Sequence, residues 1–135
     1  MISLYKTYTD GGARGNPGPA GIGAVIYAPD GSRHTIKKFI GHATNNQAEY
    51  GALIAALEYL TRHKAQDAHC FLDSELLVKQ MNREYRVKDP ELGKLFMKAW
   101  SHASLIPHIT FTHIRREKNK EADALVNEAL DEQTY

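Results

Sequence analysis

The chain is poor in the features that mark a protein for export or for a membrane. One cysteine, Cys70, in 135 residues excludes an internal disulfide, so the fold must rest on its core alone. Long hydrophobic runs are missing: none approaches the roughly 20 apolar residues of a membrane span. The N-terminus, Met1-Ile2-Ser3-Leu4-Tyr5-Lys6, turns polar too early for a signal peptide. Charge of one sign is missing as well. Seventeen Lys and Arg against 16 Asp and Glu leave a formal net charge of +1, which excludes a protein that coats nucleic acid by bulk charge. Repeats, linkers and low-complexity tracts are absent. The expectation is a soluble, cytoplasmic protein, a single domain over residues 1–135, with no membrane association and no obligate protein partner.

What is present is a 42% hydrophobic composition arranged with clear periodicity. Residues 2–10 are rich in β-branched and aromatic types and predict a strand. Residues 11–19, Gly-Gly-Ala-Arg-Gly-Asn-Pro-Gly-Pro, predict a loop. A second strand is expected over 20–28, a hairpin turn at Asp30-Gly31, and a third strand to about residue 41. Asn45 or Asn46 can cap a helix running through residue 62, with Leu53, Ala56, Leu57 and Leu60 as its apolar stripe. A short buried strand (68–73), a helix capped by Ser74 (74–83) and a helix opened by Pro90 follow. Alternation predicts a last strand over 108–114, and residues 119–131 close the chain as a helix. Strands first, then alternating helices and strands, indicate an α/β fold: a mixed sheet flanked by helices.

Four carboxylates fall at unusual places in this pattern. Asp10 ends the first strand and Asp73 the short buried one, where α/β sheets carry their ligand sites. Glu49 is in phase with Leu53, Ala56 and Leu60, and Asp123 with Val126 and Leu130, so both point inward. Each alone reads as a cap, a turn residue or a paired acid. Four clustered anions repel unless protonated or neutralised, and no lysine stands in an obvious pairing position. Hard divalent cations with oxygen ligands fit best, which points to Mg²⁺ or Mn²⁺; zinc spacing is absent.

Thr9-Asp10-Gly11-Gly12, Thr44-Asn45-Asn46-Gln47-Ala48-Glu49, Leu72-Asp73-Ser74 and Asn119-Lys120-Glu121-Ala122-Asp123 resemble, in order and spacing, the four motifs of type 1 ribonucleases H. Each motif is short, but the ordered set covers nearly the whole chain. The resemblance implies a ribonuclease H-like fold, a five-stranded mixed sheet with helices on both faces. It implies Asp10, Glu49, Asp73 and Asp123 as ligands of two Mg²⁺ ions, replaceable by Mn²⁺. It implies hydrolysis of the RNA strand of an RNA–DNA hybrid, leaving 5′-phosphate and 3′-hydroxyl ends. Two such ions activate a water and stabilise a leaving oxygen in an in-line displacement.

For substrate, the 2′-hydroxyl is the general mark of RNA, and the segment Gly11-Gly12-Ala13 offers backbone with little side chain in the way. The resemblance adds Asn45 and Glu75 as contacts near the ribose, Glu75 standing where many relatives carry glutamine. It adds Asn16 and Thr44 as holders of the DNA-strand phosphate, although Thr44 also suits a local turn. The segment between residues 83 and 90 is too short for the basic handle helix of some relatives, and the early first strand leaves no room for an N-terminal hybrid-binding domain. The six Lys and Arg of residues 79–98, against three acids, are the expected replacement. Trp100, with Phe96 and Ala103 at helical spacing, and Cys70, mid-strand, read as core. His113 lies ten residues before Asp123, where relatives carry a loop histidine, but it alternates with Ile109 and Phe111 as a strand residue would; Arg116 then takes the place beside the site. Three rivals remain: a DNA-cutting nuclease of the same fold, a non-catalytic hybrid-binding module, and an α/β protein with an unrelated acidic cluster.

Overall fold

The computed structural model describes residues 3–133. Five strands form one sheet in the order β3-β2-β1-β4-β5. β1 (Leu4–Ala13), β2 (Gly18–Tyr27) and β3 (Arg33–Ala43) form an antiparallel meander, and β4 (Asp67–Leu72) and β5 (His108–His113) run parallel to β1. The mixed sheet expected from the order of elements is therefore the one found. The helices are α1 (Asn45–Arg62), α2 (Glu75–Met81), α3 (Pro90–Ala103) and α4 (Lys120–Glu132), with a short 3-10 turn at Arg116–Lys118.

The main core is built where the expected stripe lies. Leu53, Ala56, Leu57 and Leu60 of α1 are all fully buried, against Ile26, Cys70 and Leu72 of the sheet and Ala99 and Ala103 of α3. Each buried Leu or Ile contributes about 1.5–3 kcal/mol of transfer free energy, so this layer holds α1 firmly. Two glycines bring helices unusually near the sheet. A Cβ on Gly11 would lie 2.2 Å from the Ala48 carbonyl of α1, and one on Gly23 would lie 2.4 Å from the Ala122 carbonyl of α4. Glu49 and Asp123 each follow one of these contact residues by a single position. Gly23 is also the cross-strand partner of Asp10.

The expected loop over 11–19 is corrected. β1 continues through Gly11, Gly12 and Ala13, paired with Ile22, Gly21 and Ala20 of β2, so the true connection is residues 14–17 alone. Glycine and proline composition signals a break locally, but the ladder and the overlying helix keep the glycines extended. The start expected at residue 2 lies outside the described residues. β2 begins at Gly18 rather than residue 20, and β3 ends at Ala43. The cap of α1 is Thr44, not Asn45 or Asn46. Thr44 Oγ1 accepts from the Gln47 N–H at 3.1 Å, and Gln47 Oε1 accepts from the Thr44 N–H at 2.9 Å, a reciprocal capping box. Ser74 caps α2 as expected, but that helix ends at Met81, and Asp89 caps α3 ahead of Pro90. Trp100 is half-buried and stacks on Phe96 at 6.1 Å, with the Arg83 guanidinium 5.2 Å above its ring. Among the described residues no helix is long and apolar enough to cross a membrane.

Candidate active site

Parallel pairing of β1 with β4 ends at Thr9 opposite Leu72. The next residues on the two chains are Asp10 and Asp73, so strand register sets these two carboxylates side by side. β1 then runs on past the end of β4, leaving its edge from Asp10 to Ala13 without a strand neighbour on that side. α1, held close by Gly11, brings Glu49 down to the same point. One carboxylate oxygen from each of Asp10, Glu49 and Asp73 lies within 4.8 Å of the others.

Two of these carboxyls are buried, and none of the three has a cationic partner among the described residues. Asp10 is 8% and Glu49 9% exposed. No ion pair among the described residues reaches Asp10, Glu49, Asp73 or Asp123, and Glu49 Oε2 is buried without a hydrogen-bond partner. Burial first, then the Asp73 charge, raises the Asp10 carboxyl to about 7 from an ordinary value of 3.8. Burial, then Asp10 itself, pushes Glu49 well above the usual range, while a backbone hydrogen bond from Gly11 pulls the other way. An all-oxygen donor set with an orphaned buried carboxylate oxygen and no internal cation suits a hard divalent ion.

Asp123 stands slightly apart. It is half-buried rather than fully inward and does not belong to the tight triplet, yet it faces Asp10 across one cleft of about 450 Å³. That cleft is lined by Asp10, Gly11, Gly12, Ala13, Asn45, Glu49, Asp73, Arg116 and Asp123, so the structure brings together most of the residues singled out from sequence. Asn45 Oδ1 accepts from the Ala13 N–H at 2.9 Å, and Asn16 Oδ1 accepts from the Asn45 N–H at 3.0 Å, bracing the β1–β2 turn against the start of α1. Thr44 is committed to its cap. Glu75, first residue of α2, is exposed and does not line the cleft. His113 is exposed at the end of β5, paired with Leu72, so its placement in the strand agrees with the alternation; it too lies off the cleft. Four polar contributors to the cleft went unassigned from sequence: Arg14, Asn46, Ser74 and Asn127, the last donating to Asp123 Oδ2 at 3.4 Å. All are ordinary polar residues whose role depends on packing, except that Asn46 and Ser74 sit inside the motifs.

Residues 8–129 match the family described as reverse transcriptase-like. The chain is 45% identical over 124 residues to the bifunctional protein Rv2228c of Mycobacterium tuberculosis, covering 90% of this chain and about a third (34%) of that longer protein. It is 33% identical to a ribonuclease H of Paramagnetospirillum magneticum, covering 93% of this chain and 88% of that one. LC11-RNase H1, isolated from compost by a metagenomic approach and solved in complex with an RNA/DNA hybrid, superposes with a TM-score of 0.88 at 47% identity, over 96% of this chain and 98% of that one. Sheet order, the acid triplet where the β1–β4 pairing ends and these likenesses converge, and the chain belongs to the type 1 ribonuclease H family.

Proposed function

We propose that this chain is an endoribonuclease that hydrolyses the RNA strand of RNA–DNA hybrids, leaving 5′-phosphate and 3′-hydroxyl ends, within a single catalytic domain. The observation that carries the reading is the triplet of Asp10, Glu49 and Asp73 oxygens within 4.8 Å, with no ion pair among the described residues to balance them. The hybrid bound by LC11-RNase H1 supports the substrate. Asp10, Glu49, Asp73 and Asp123 would hold two Mg²⁺ ions, with Mn²⁺ as a substitute. Such ions would supply an activated water and charge stabilisation at the leaving oxygen. The protein's own part is orientation. The β1 edge left without a strand neighbour at Gly11, Gly12 and Ala13 presents backbone to the ribose 2′-hydroxyl, with Asn45 beside it and Glu75 as an outer contact. Asn16 and Thr44 flank the path of the DNA strand, and the Lys and Arg of residues 79–98 add phosphate contacts that weaken as salt rises. Arg116, exposed on the cleft, stays charged and can hold a phosphate oxygen. The working compartment we infer is the cytoplasm.

A gel assay with end-labelled hybrid, all-DNA duplex and all-RNA duplex tests this. Mg²⁺-dependent cutting of the hybrid's RNA strand alone is expected. Equal cutting of all-DNA duplex, or full activity in excess chelator, overturns it.

A further inference from the structure

Asn119 is 1% exposed, and it begins α4 without capping it: its side chain makes no bond to the helix start. Instead its Nδ2 donates at 2.8 Å to the Thr9 carbonyl and at 2.8 Å to Asp73 Oδ2. The two amide protons thus meet two acceptors, one of them a carboxylate, and a flipped amide would set its oxygen against both. The other end of the amide agrees on which bonds decide the orientation, because Asn119 Oδ1 is buried with no partner. The Asn119 carbonyl in turn accepts from the Asp123 N–H at 3.1 Å. One residue is therefore bonded to the strand position just before Asp10, to Asp73 itself and to the backbone of Asp123.

We propose that Asn119 is a positioning residue that ties the Asp73 carboxylate to the β1 backbone at Thr9, so that the acid triplet is assembled for a divalent ion. The inference rests on the metal-nuclease reading above for the use of the site, and on geometry alone for the clamp. Without the amide, Asp73 stands beside Asp10 with nothing to oppose their repulsion, and its side chain turns toward solvent. Asn119→Asp keeps the shape but loses both donors and adds an anion; Asn119→Ala removes the group.

The test is the Mg²⁺ dependence of the melting temperature, read beside hybrid cleavage. Both variants should need about 10-fold more Mg²⁺ for half of the metal-induced stabilisation, the usual scale for losing a group that orients a metal ligand. Asn119→Asp should be the worse of the two, with turnover reduced even at saturating Mg²⁺. An unchanged Mg²⁺ midpoint in a folded variant overturns the proposal. Should the variants not fold, the unsubstituted protein decides by NMR: the Asn119 side-chain amide protons should exchange slowly and shift on Mg²⁺ addition, and resonances that do neither overturn it. A protein whose Mg²⁺ midpoint moves on substitution but which cuts no hybrid would sink the proposed substrate and leave the clamp standing.

Discussion

α4 presents carboxylates to two environments. Toward β2 and β3, Glu121 accepts from Tyr27 Oη at 2.6 Å and pairs with Arg33 at 2.6 Å, while Lys37 lies 2.8 Å from Glu132 and 3.7 Å from Glu128. Toward the cleft, Asp123 joins Asp10, Glu49 and Asp73, and no ion pair among the described residues reaches any of the four. The consequences are opposite. The Tyr27 hydroxyl, then Arg33, holds Glu121 below the usual carboxylate range, whereas burial and like charge raise Asp10 to about 7. The paired surface is ordinary solvation of a helix face and contributes little to stability. The unpaired cluster costs stability, and a cost kept at a cleft points to use.

The sharpest way to break this comparison is to remove one anion from the cleft. Asp10→Asn and Asp73→Asn should each lower hybrid cleavage by at least about 1000-fold, the scale seen when one member of a catalytic unit is lost. Circular dichroism should show the fold intact. A substantial residual rate in Mg²⁺ would detach the cluster from catalysis.

Next in size is a stability effect of unusual sign. The folded state holds the Asp10 proton more tightly than the unfolded chain does, so this group's contribution falls as pH rises from about 4 to about 7. At pH 8 the group is ionised in both states and its full penalty falls on the folded state. In chelator, the melting temperature should therefore climb as pH is lowered from 8 to 5.5. Asp10→Asn should flatten that slope and melt higher than the unsubstituted protein at pH 8. A melting temperature that is level over this range would mean the cluster carries no such strain.

Smaller again is the contrast between Arg116, on the cleft, and His113, off it. Arg116→Ala should slow turnover by about 10-fold, less than the loss of a donor in a water-excluded site, because Arg116 is exposed and screened by solvent. His113→Ala should do less, and both should leave cleavage detectable. The reverse order in folded variants would place the histidine at the chemistry. Smallest is the control on the paired face: Glu121→Gln should shift melting by less than about 3 °C and leave cleavage rates unchanged.

Glu49 and Asp73 were legible in sequence because helical phase and the end of a short apolar strand are local properties, and so was His113, whose alternation outweighed its distance from Asp123; Asp10 was singled out as a strand end, but β1 runs on to Ala13. The extension of β1 through Gly11 and Gly12 was not, because glycine signals a turn until a neighbouring strand and a helix 2.2 Å from a virtual Cβ fix it as extended. Asn119 stands within a motif, yet nothing local assigns it a role. An asparagine ahead of a helix reads as a cap, and only the fold shows its amide reaching Thr9, 110 residues away. Thr44 went the other way: its residue type suits a turn-former or a phosphate holder, and the fold gives it a local task as well, the capping box of α1.

Cys70 lies on β4 between β1 and β5, with Thr7 and Phe111 as its neighbours in register. Its thiol is 1% exposed, and burial raises it to about 12. At neutral pH it is a protonated sulfur behind the sheet, inert to alkylating reagents while the sheet is closed. Its modification rate then equals the open fraction of the central strands multiplied by the rate for a free thiol. The protein therefore carries its own opening clock, readable by mass spectrometry without any label. That clock should run slower whenever Mg²⁺ relieves the repulsion at the far end of the same two strands.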